Sequence, residues 1–225
     1  MKIELVIFDL DGTLVDAFRA VVDSVNFALR KMGYGPQDET SIKRSVGWGE
    51  WALLASFVEE KDVAAMQKVY RDSHRQTLTY GVKFLDGALK LIKHLKDKGY
   101  LLAIATNRPA WSTKIILQEL KAEKYFDVVL SKDDVERLKP DAEILEKLLK
   151  KLALGPAQAL FVGDMTVDVE TGKNAGVLTV AVTTGSSTRQ ELEALGSFKI
   201  VENIWAVSGI LDEVNSYVLK GDEND

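Results

Sequence analysis

The sequence predicts an α/β fold: a doubly wound parallel sheet, interrupted near its start by a small all-helical insertion. Three observations predict it. Short apolar, β-branched runs recur at residues 3–8, 101–105, 128–130, 159–162 and 178–182, each bounded by turn residues. From Phe84 onward, segments with helical spacing alternate with these runs. Residues 17–80, in contrast, carry helical spacing with no convincing strand. Alternating strands and helices call for a parallel sheet with helices on both faces. Right-handed crossovers return each strand in the same direction, so all strands end on one side. That side is where open α/β sheets bind their ligands.

The first run, Ile3 to Phe8, reads as a buried strand that ends in Asp9-Leu10-Asp11-Gly12-Thr13. Phe18, Val21, Val22, Val25, Leu29 and Met32 then repeat at helical spacing up to Gly33, a suitable C-cap. Further helices are expected over 39–46, 50–57 and 63–79, separated by Gly47-Trp48-Gly49 and the charged stretch 59–62. A helix from Asp86 to Gly99 leads into the strand 101–105, which ends in Thr106-Asn107-Arg108. Pro109 suits the first position of a helix carrying Trp111, Ile115, Ile116 and Leu120. After the strand 128–130, Lys139-Pro140 precedes a helix with Ile144, Leu145, Leu148, Leu149 and Leu152. The strand 159–162 ends in Gly163-Asp164, and a helix is expected over 171–175, capped by Gly176. The strand 178–182, a short edge strand at 199–201 and a closing helix over 204–218 complete the chain, with a frayed end at 221–225. The expected organisation is a core of residues 1–16 and 81–225 with an inserted helical unit at 17–80.

Composition narrows the function. With 225 residues, the chain can bury a full core. A formal net charge of −5 argues against a large nucleic-acid footprint. The absence of cysteine removes disulfides, thiolate metal sites and thiol nucleophiles. No apolar stretch reaches membrane-spanning length, and the N-terminus shows no signal-peptide pattern. A cytoplasmic enzyme, monomeric or weakly dimeric, acting on a small molecule is expected.

The strand ends carry the chemistry. If the extended backbone continues past Phe8, Asp9 and Asp11 leave the same face, and two adjacent carboxylates repel unless a cation or proton lies between them. An oxygen-only metal site without histidine or cysteine suits a hard cation such as Mg²⁺. Asp9 and Asp164 are the best side-chain ligands, and Asp168 can bind directly or through a water. Mg²⁺ held this way commonly shares its shell with phosphate oxygens. The turn amides around Asp11 and Gly12 can cradle an anion. Thr106 offers a hydroxyl, Asn107 an amide, and Lys139 the compact positive charge that phosphoryl chemistry requires.

These residues resemble the haloacid-dehalogenase-like superfamily of phosphohydrolases. Its four motifs occur in order as Asp9-x-Asp11-Gly12-Thr13, Thr106 at a strand end, Lys139-Pro140, and Gly163-Asp164-x-x-x-Asp168. The helical insertion resembles the cap of subclass I, and the core a Rossmann-like sheet. Within the superfamily the layout is most similar to phosphoglycolate phosphatases. The resemblance implies that Asp9 is the nucleophile forming an aspartyl-phosphate and that Asp11 is the acid and base. It implies that Thr106 and Lys139 hold the phosphoryl group. Mg²⁺ would be bound by Asp9, the Asp11 carbonyl and Asp164, with Asp168 assisting. Dehalogenases of the same fold lack the second aspartate, so Asp11 favours phosphoryl transfer.

Taken singly, these residues also have plain structural readings. Gly163-Asp164 with Asp168 can be a helix cap, Thr106 a strand-end hydroxyl, and Arg108 a helix-start residue as readily as a phosphate contact. Trp48 can close over a substrate or sit in the core of the insertion, and Arg44 can reach a second anionic group or face solvent. His74 and His94 lie in helical patterns with no assigned role. Two alternatives to a phosphatase stand. One is a phosphomutase of the β-phosphoglucomutase type, which tends to carry a histidine on the first cap helix that this chain lacks. The other is a non-catalytic protein that kept the fold.

Overall fold

The computed structural model describes residues 2–221, with side chains to residue 216. Strand β1 (Leu5–Phe8) is fully buried, as an apolar run flanked on both faces should be. The chain then makes a two-residue strand β2 (Val15–Asp16) and enters four helices: α1 (Phe18–Lys31), α2 (Glu39–Ser45), α3 (Glu50–Ala55) and α4 (Glu60–Thr77). It returns through β3 (Lys83–Phe84), which pairs antiparallel with β2. The remainder alternates: α5 (Ala88–Asp97), β4 (Leu101–Ala105), α6 (Ala110–Glu119), β5 (Val128–Leu130), α7 (Glu143–Leu152), β6 (Ala159–Gly163), α8 (Thr166–Ala175), β7 (Leu178–Val182), α9 (Arg189–Ala194), β8 (Lys199–Val201) and α10 (Val207–Gly221). The frayed end expected at 221–225 falls, Gly221 apart, outside the described residues.

The six-stranded sheet has the order β5-β4-β1-β6-β7-β8, parallel throughout. Strand β1 is central, and the chain order runs outward from it in both directions, so a ligand crevice opens at its carboxyl end. Side chains alternate across the sheet. Val6 and Phe8 join Leu102, Ile104 and Val162 in a core with Leu91 and Ile92 of α5 and Ile116 of α6. Leu5 and Ile7 face the opposite way, toward Ile144, Leu145, Leu148 and Leu149 of α7. Each such side chain contributes about 1.5–3 kcal/mol on full burial.

The inserted helices bury their own core. Val21, Val25, Ala28 and Leu29 of α1 meet Val63, Met66 and Tyr70 of α4, with Ile42 and Leu54 between them. Asp38 caps α2 by accepting from the Ser41 amide. Among the described residues no helix is long and apolar enough to cross a membrane.

Three local expectations change. The β2–β3 ribbon at the root of the insertion was not foreseen, because two-residue strands carry no periodicity. Helix α8 starts at Thr166 rather than 171. Its first turn is rich in β-branched residues, but Asp168 offsets their low helix propensity by accepting from the Met165 amide at the helix start. Helix α6 begins at Ala110, with Pro109 one position earlier as its cap.

Candidate active site

Four buried charges meet at the carboxyl ends of β1 and β6. Asp9 immediately follows β1, and Asp164 follows β6. Asp168 lies in the first turn of α8, and Lys139 on the loop before α7. The Lys139 ammonium donates to Asp9 Oδ1 and Asp168 Oδ1, both at 2.7 Å, and to the Ala105 carbonyl at 3.0 Å. All three of its protons are therefore used. Burial pushes this ammonium toward neutrality, but the carboxylates of Asp168 and Asp9 outweigh burial and hold it above its ordinary value. Burial likewise pushes Asp9 up to about 7, against the opposing pull of Lys139. Asp164 is raised well above the usual carboxylate range by burial, then by Asp168 and Asp9.

One carboxylate oxygen from each of Asp9, Asp164 and Asp168 lies within 4.8 Å of the others. Three carboxylates against one lysine leave an excess of two negative charges in a site shielded from water. Such an excess is costly unless a cation or protons neutralise it. An all-oxygen donor set with a charge of this size fits a hard divalent ion. Asp168 Oδ2, however, also accepts from the amides of Asp164 and Met165. Its helix-capping reading and its site reading hold together.

Local backbone brings these groups within reach. Gly12 has a φ of +78°, and a Cβ there would stand 2.6 Å from Asp164 Oδ2. Only glycine permits both the turn and this approach. Thr13 Oγ1 donates to Asp164 Oδ1 at 3.0 Å, and the Ser186 amide donates to Oδ2 at 3.0 Å. Thr184 Oγ1 donates to the Gly12 carbonyl at 2.6 Å. Thr184 and Ser186 lie in the loop between β7 and α9.

Asp9 and Asp11 line the same pocket but pair differently. The chain turns after β1, and each carboxylate meets its own cation. Asp11 receives a two-pronged pair from Arg108, Nε at 2.6 Å and a terminal nitrogen at 2.7 Å. The other terminal nitrogen of Arg108 lies 3.0 Å from His74 Nε2. His74 Nδ1 faces Ser24 Oγ at 3.0 Å. His74, whose helical spacing by itself assigns no role, is 1 % exposed and lies beside Arg108 and Asp11. A signal was present: Val63, Met66, Tyr70, His74 and Thr77 lie at helical spacing, which puts His74 on the buried face of α4.

A pocket joins these groups under the insertion. Asp9, Asp11, Thr106, Asn107 and Arg108 line it from the core, and Val21, Val46, Leu53, Tyr70 and His74 from the helices. Thr106 is buried, and its Oγ1 accepts from the Arg108 amide. Asn107 lines the pocket, but its amide is engaged elsewhere: Nδ2 donates to the carbonyls of Gly47 and Lys139, and Oδ1 accepts from the Lys139 amide. It ties the insertion to the Lys139 loop rather than offering free donors. Arg44 and Trp48 are not brought to this pocket. Arg44 pairs with Glu191 on the surface, and Trp48 is 42 % exposed. Gly47 and Gly49 line the pocket in place of Trp48.

Fold and site together define an α/β protein whose reactive groups gather at the carboxyl ends of its strands, beneath a helical insertion. Residues 6–182 match the sequence model of the haloacid dehalogenase-like hydrolases, and the chain belongs to that family. It is 30% identical over 231 residues to phosphoglycolate phosphatase 1 of Pseudomonas aeruginosa, covering 97% of this chain and 83% of that one. It is also 30% identical to the pyrophosphatase PpaX of Bacillus cereus, covering 96% and 99%. The crystal structure of a predicted phosphoglycolate phosphatase from Haemophilus somnus superposes with a TM-score of 0.88 at 24% identity, covering 93% and 98%. At that identity the likeness speaks for the fold.

Proposed function

We propose that the protein is a Mg²⁺-dependent phosphatase that hydrolyses a small soluble phosphomonoester through an aspartyl-phosphate on Asp9. The observation that carries this reading is the buried cluster of Asp9, Asp164, Asp168 and Lys139, whose Asp9 shares a pocket with a second carboxylate, Asp11. Relatives named as a phosphoglycolate phosphatase and a pyrophosphatase support the reaction class.

Asp9 attacks phosphorus in line, and the bond from phosphorus to the ester oxygen breaks. Asp11, which takes up a proton from solvent once it leaves Arg108, gives that proton to the departing oxygen. Asp11 then takes a proton from water, which attacks the aspartyl-phosphate and releases phosphate and free Asp9. Lys139 holds the Asp9 carboxylate in place and offsets charge on the phosphoryl oxygens, and the Thr106 hydroxyl steadies that group. Mg²⁺, held by Asp9, Asp164 and the Asp11 carbonyl with Asp168 assisting, supplies further positive charge when bound. Residues 17–80 serve as the cap over this pocket, excluding bulk water during attack and opening for product release.

A panel of phosphomonoesters assayed with and without Mg²⁺ tests the reading. Phosphate release that depends on the metal is expected. No release from any member would overturn it, and isomerised sugar phosphate without free phosphate would give the site to a mutase.

A further inference from the structure

The geometry points to Arg108 as the residue that recognises a second anionic group on the substrate, with the Asp11 carboxylate occupying that position until substrate binds. This rests on the phosphatase reading above. It adds a substrate class: short phosphate esters or anhydrides that carry a carboxylate or a second phosphate.

The Arg108 side chain is 8 % exposed and lines the pocket. A guanidinium has donors only, so His74 Nε2 must accept from it. The proton of His74 then sits on Nδ1, facing Ser24 Oγ, which in turn donates to the Ala20 carbonyl at 2.6 Å. His74 is therefore neutral and contributes no charge against Arg108. Burial, and then the charge of Arg108 itself, hold its pKa well below the ordinary value. Tyr70, stacked on His74 at 4.8 Å, is kept neutral by burial. Glu50 is engaged by Arg71 and Gln67, and Asp9 by Lys139. Among the described residues, Asp11 is the one carboxylate that pairs directly with the Arg108 guanidinium.

That pairing conflicts with the work assigned to Asp11. Both its oxygens lie in the Arg108 fork, whereas proton transfer requires one of them at the ester oxygen. If Asp11 turns away, a desolvated guanidinium loses its partner, which is costly unless another anion takes the fork. Planar two-pronged recognition of carboxylate or phosphate is what arginine does best. A second anion on the substrate would fill the fork and release Asp11 in one exchange. The walls beyond, Val21, Val46, Leu53 and Pro109, offer no competing charge.

The test compares near-isosteric pairs. 2-Phosphoglycolate and ethyl phosphate differ by a carboxylate against a methyl group, and pyrophosphate supplies the second-phosphate arm. The parent enzyme should favour at least one two-anion substrate over ethyl phosphate by about 10- to 100-fold in kcat/KM, the scale of a charge-assisted pair. Arg108→Gln and Arg108→Lys should reduce that preference to roughly threefold or less. A binding arm needs no Arg108 variant: calorimetry of 3-phosphonopropionate and propylphosphonate, both non-hydrolysable, with Mg²⁺. Asp11→Asn, which removes the competing carboxylate, should tighten the first ligand several-fold and leave the second nearly unchanged. No preference in the parent, an equal preference in the Arg108 variants, or no tightening in Asp11→Asn would each overturn the inference. Release of phosphate from ethyl phosphate would still uphold the phosphatase reading. No release from any substrate would sink that reading, leaving the phosphonate titrations to decide on Arg108.

Discussion

Replacing Asp9 by Asn keeps the side chain's shape but removes its charge and its nucleophilic oxygen. Turnover should fall by roughly 10⁴-fold or more, while circular dichroism stays parent-like. Parent-rate hydrolysis by the variant would remove Asp9 from the mechanism. A second residue acts from outside the pocket. Glu143 receives Lys147 at 2.6 Å and the amides of Glu136 and Arg137 at 3.0 and 2.9 Å, steadying the loop that ends at Lys139. These contacts, Lys147 first, pull its pKa down to about 2 from 4.5. A carboxylate lowered on folding stabilises the protein above its unfolded pKa and loses that contribution as pH falls through the folded value. Glu143→Gln should therefore lower Tm at pH 7, and the gap to the parent should close between pH 4.5 and pH 2. Thermal melts across that window check it, and a constant gap would refute the account.

At the scale of elements, the turn after β1 depends on backbone geometry. Gly12→Ala adds a methyl group at φ +78° against Asp164. A cost of roughly 1–3 kcal/mol in urea denaturation is expected, together with weaker Mg²⁺ binding because Asp164 must shift. A parent-like midpoint and metal affinity would show that the turn relaxes freely. The loop between α2 and α3 is held to the core by Asn107, through the Gly47 carbonyl at 3.0 Å. Asn107→Ala should raise KM and speed proteolytic cleavage within residues 46–50. Unchanged cleavage would mean that the tie does not restrain the loop.

For the whole molecule, the excess negative charge beneath the insertion ties the stability of the fold to whatever neutralises it. A ligand that binds only the folded state adds about 2.7 kcal/mol at 100 times its Kd, or a Tm rise of roughly 5–11 °C for a chain of this size. Mg²⁺ should raise Tm on that scale, EDTA should reverse it, and Asp164→Asn should shrink it. A metal-independent Tm in the parent would remove the divalent ion from this site.

Order along the chain was enough for the sheet, since short continuous apolar runs at 101–105, 159–162 and 178–182 report strands buried on both faces. It was enough for the carboxylates of the cluster as well, because parallel strands must end on one side, which brings Asp9, Asp164 and Asp168 together whatever their separation. Direction and partnership were not legible. Asp11 is paired by Arg108, 97 residues away. Asn107 is engaged by Gly47, 60 residues away, and His74 meets Arg108 only when α4 lies over the core. Arg44 and Trp48, which the sequence offered as substrate contacts, face solvent because α2 and its following loop turn them outward. The sequence by itself determined the family of contacts that a doubly wound sheet imposes, because strand polarity is a local property repeated along the chain. The tertiary structure alone decided which cation each carboxylate meets, because that depends on side chains from the core and the insertion arriving in the same small volume.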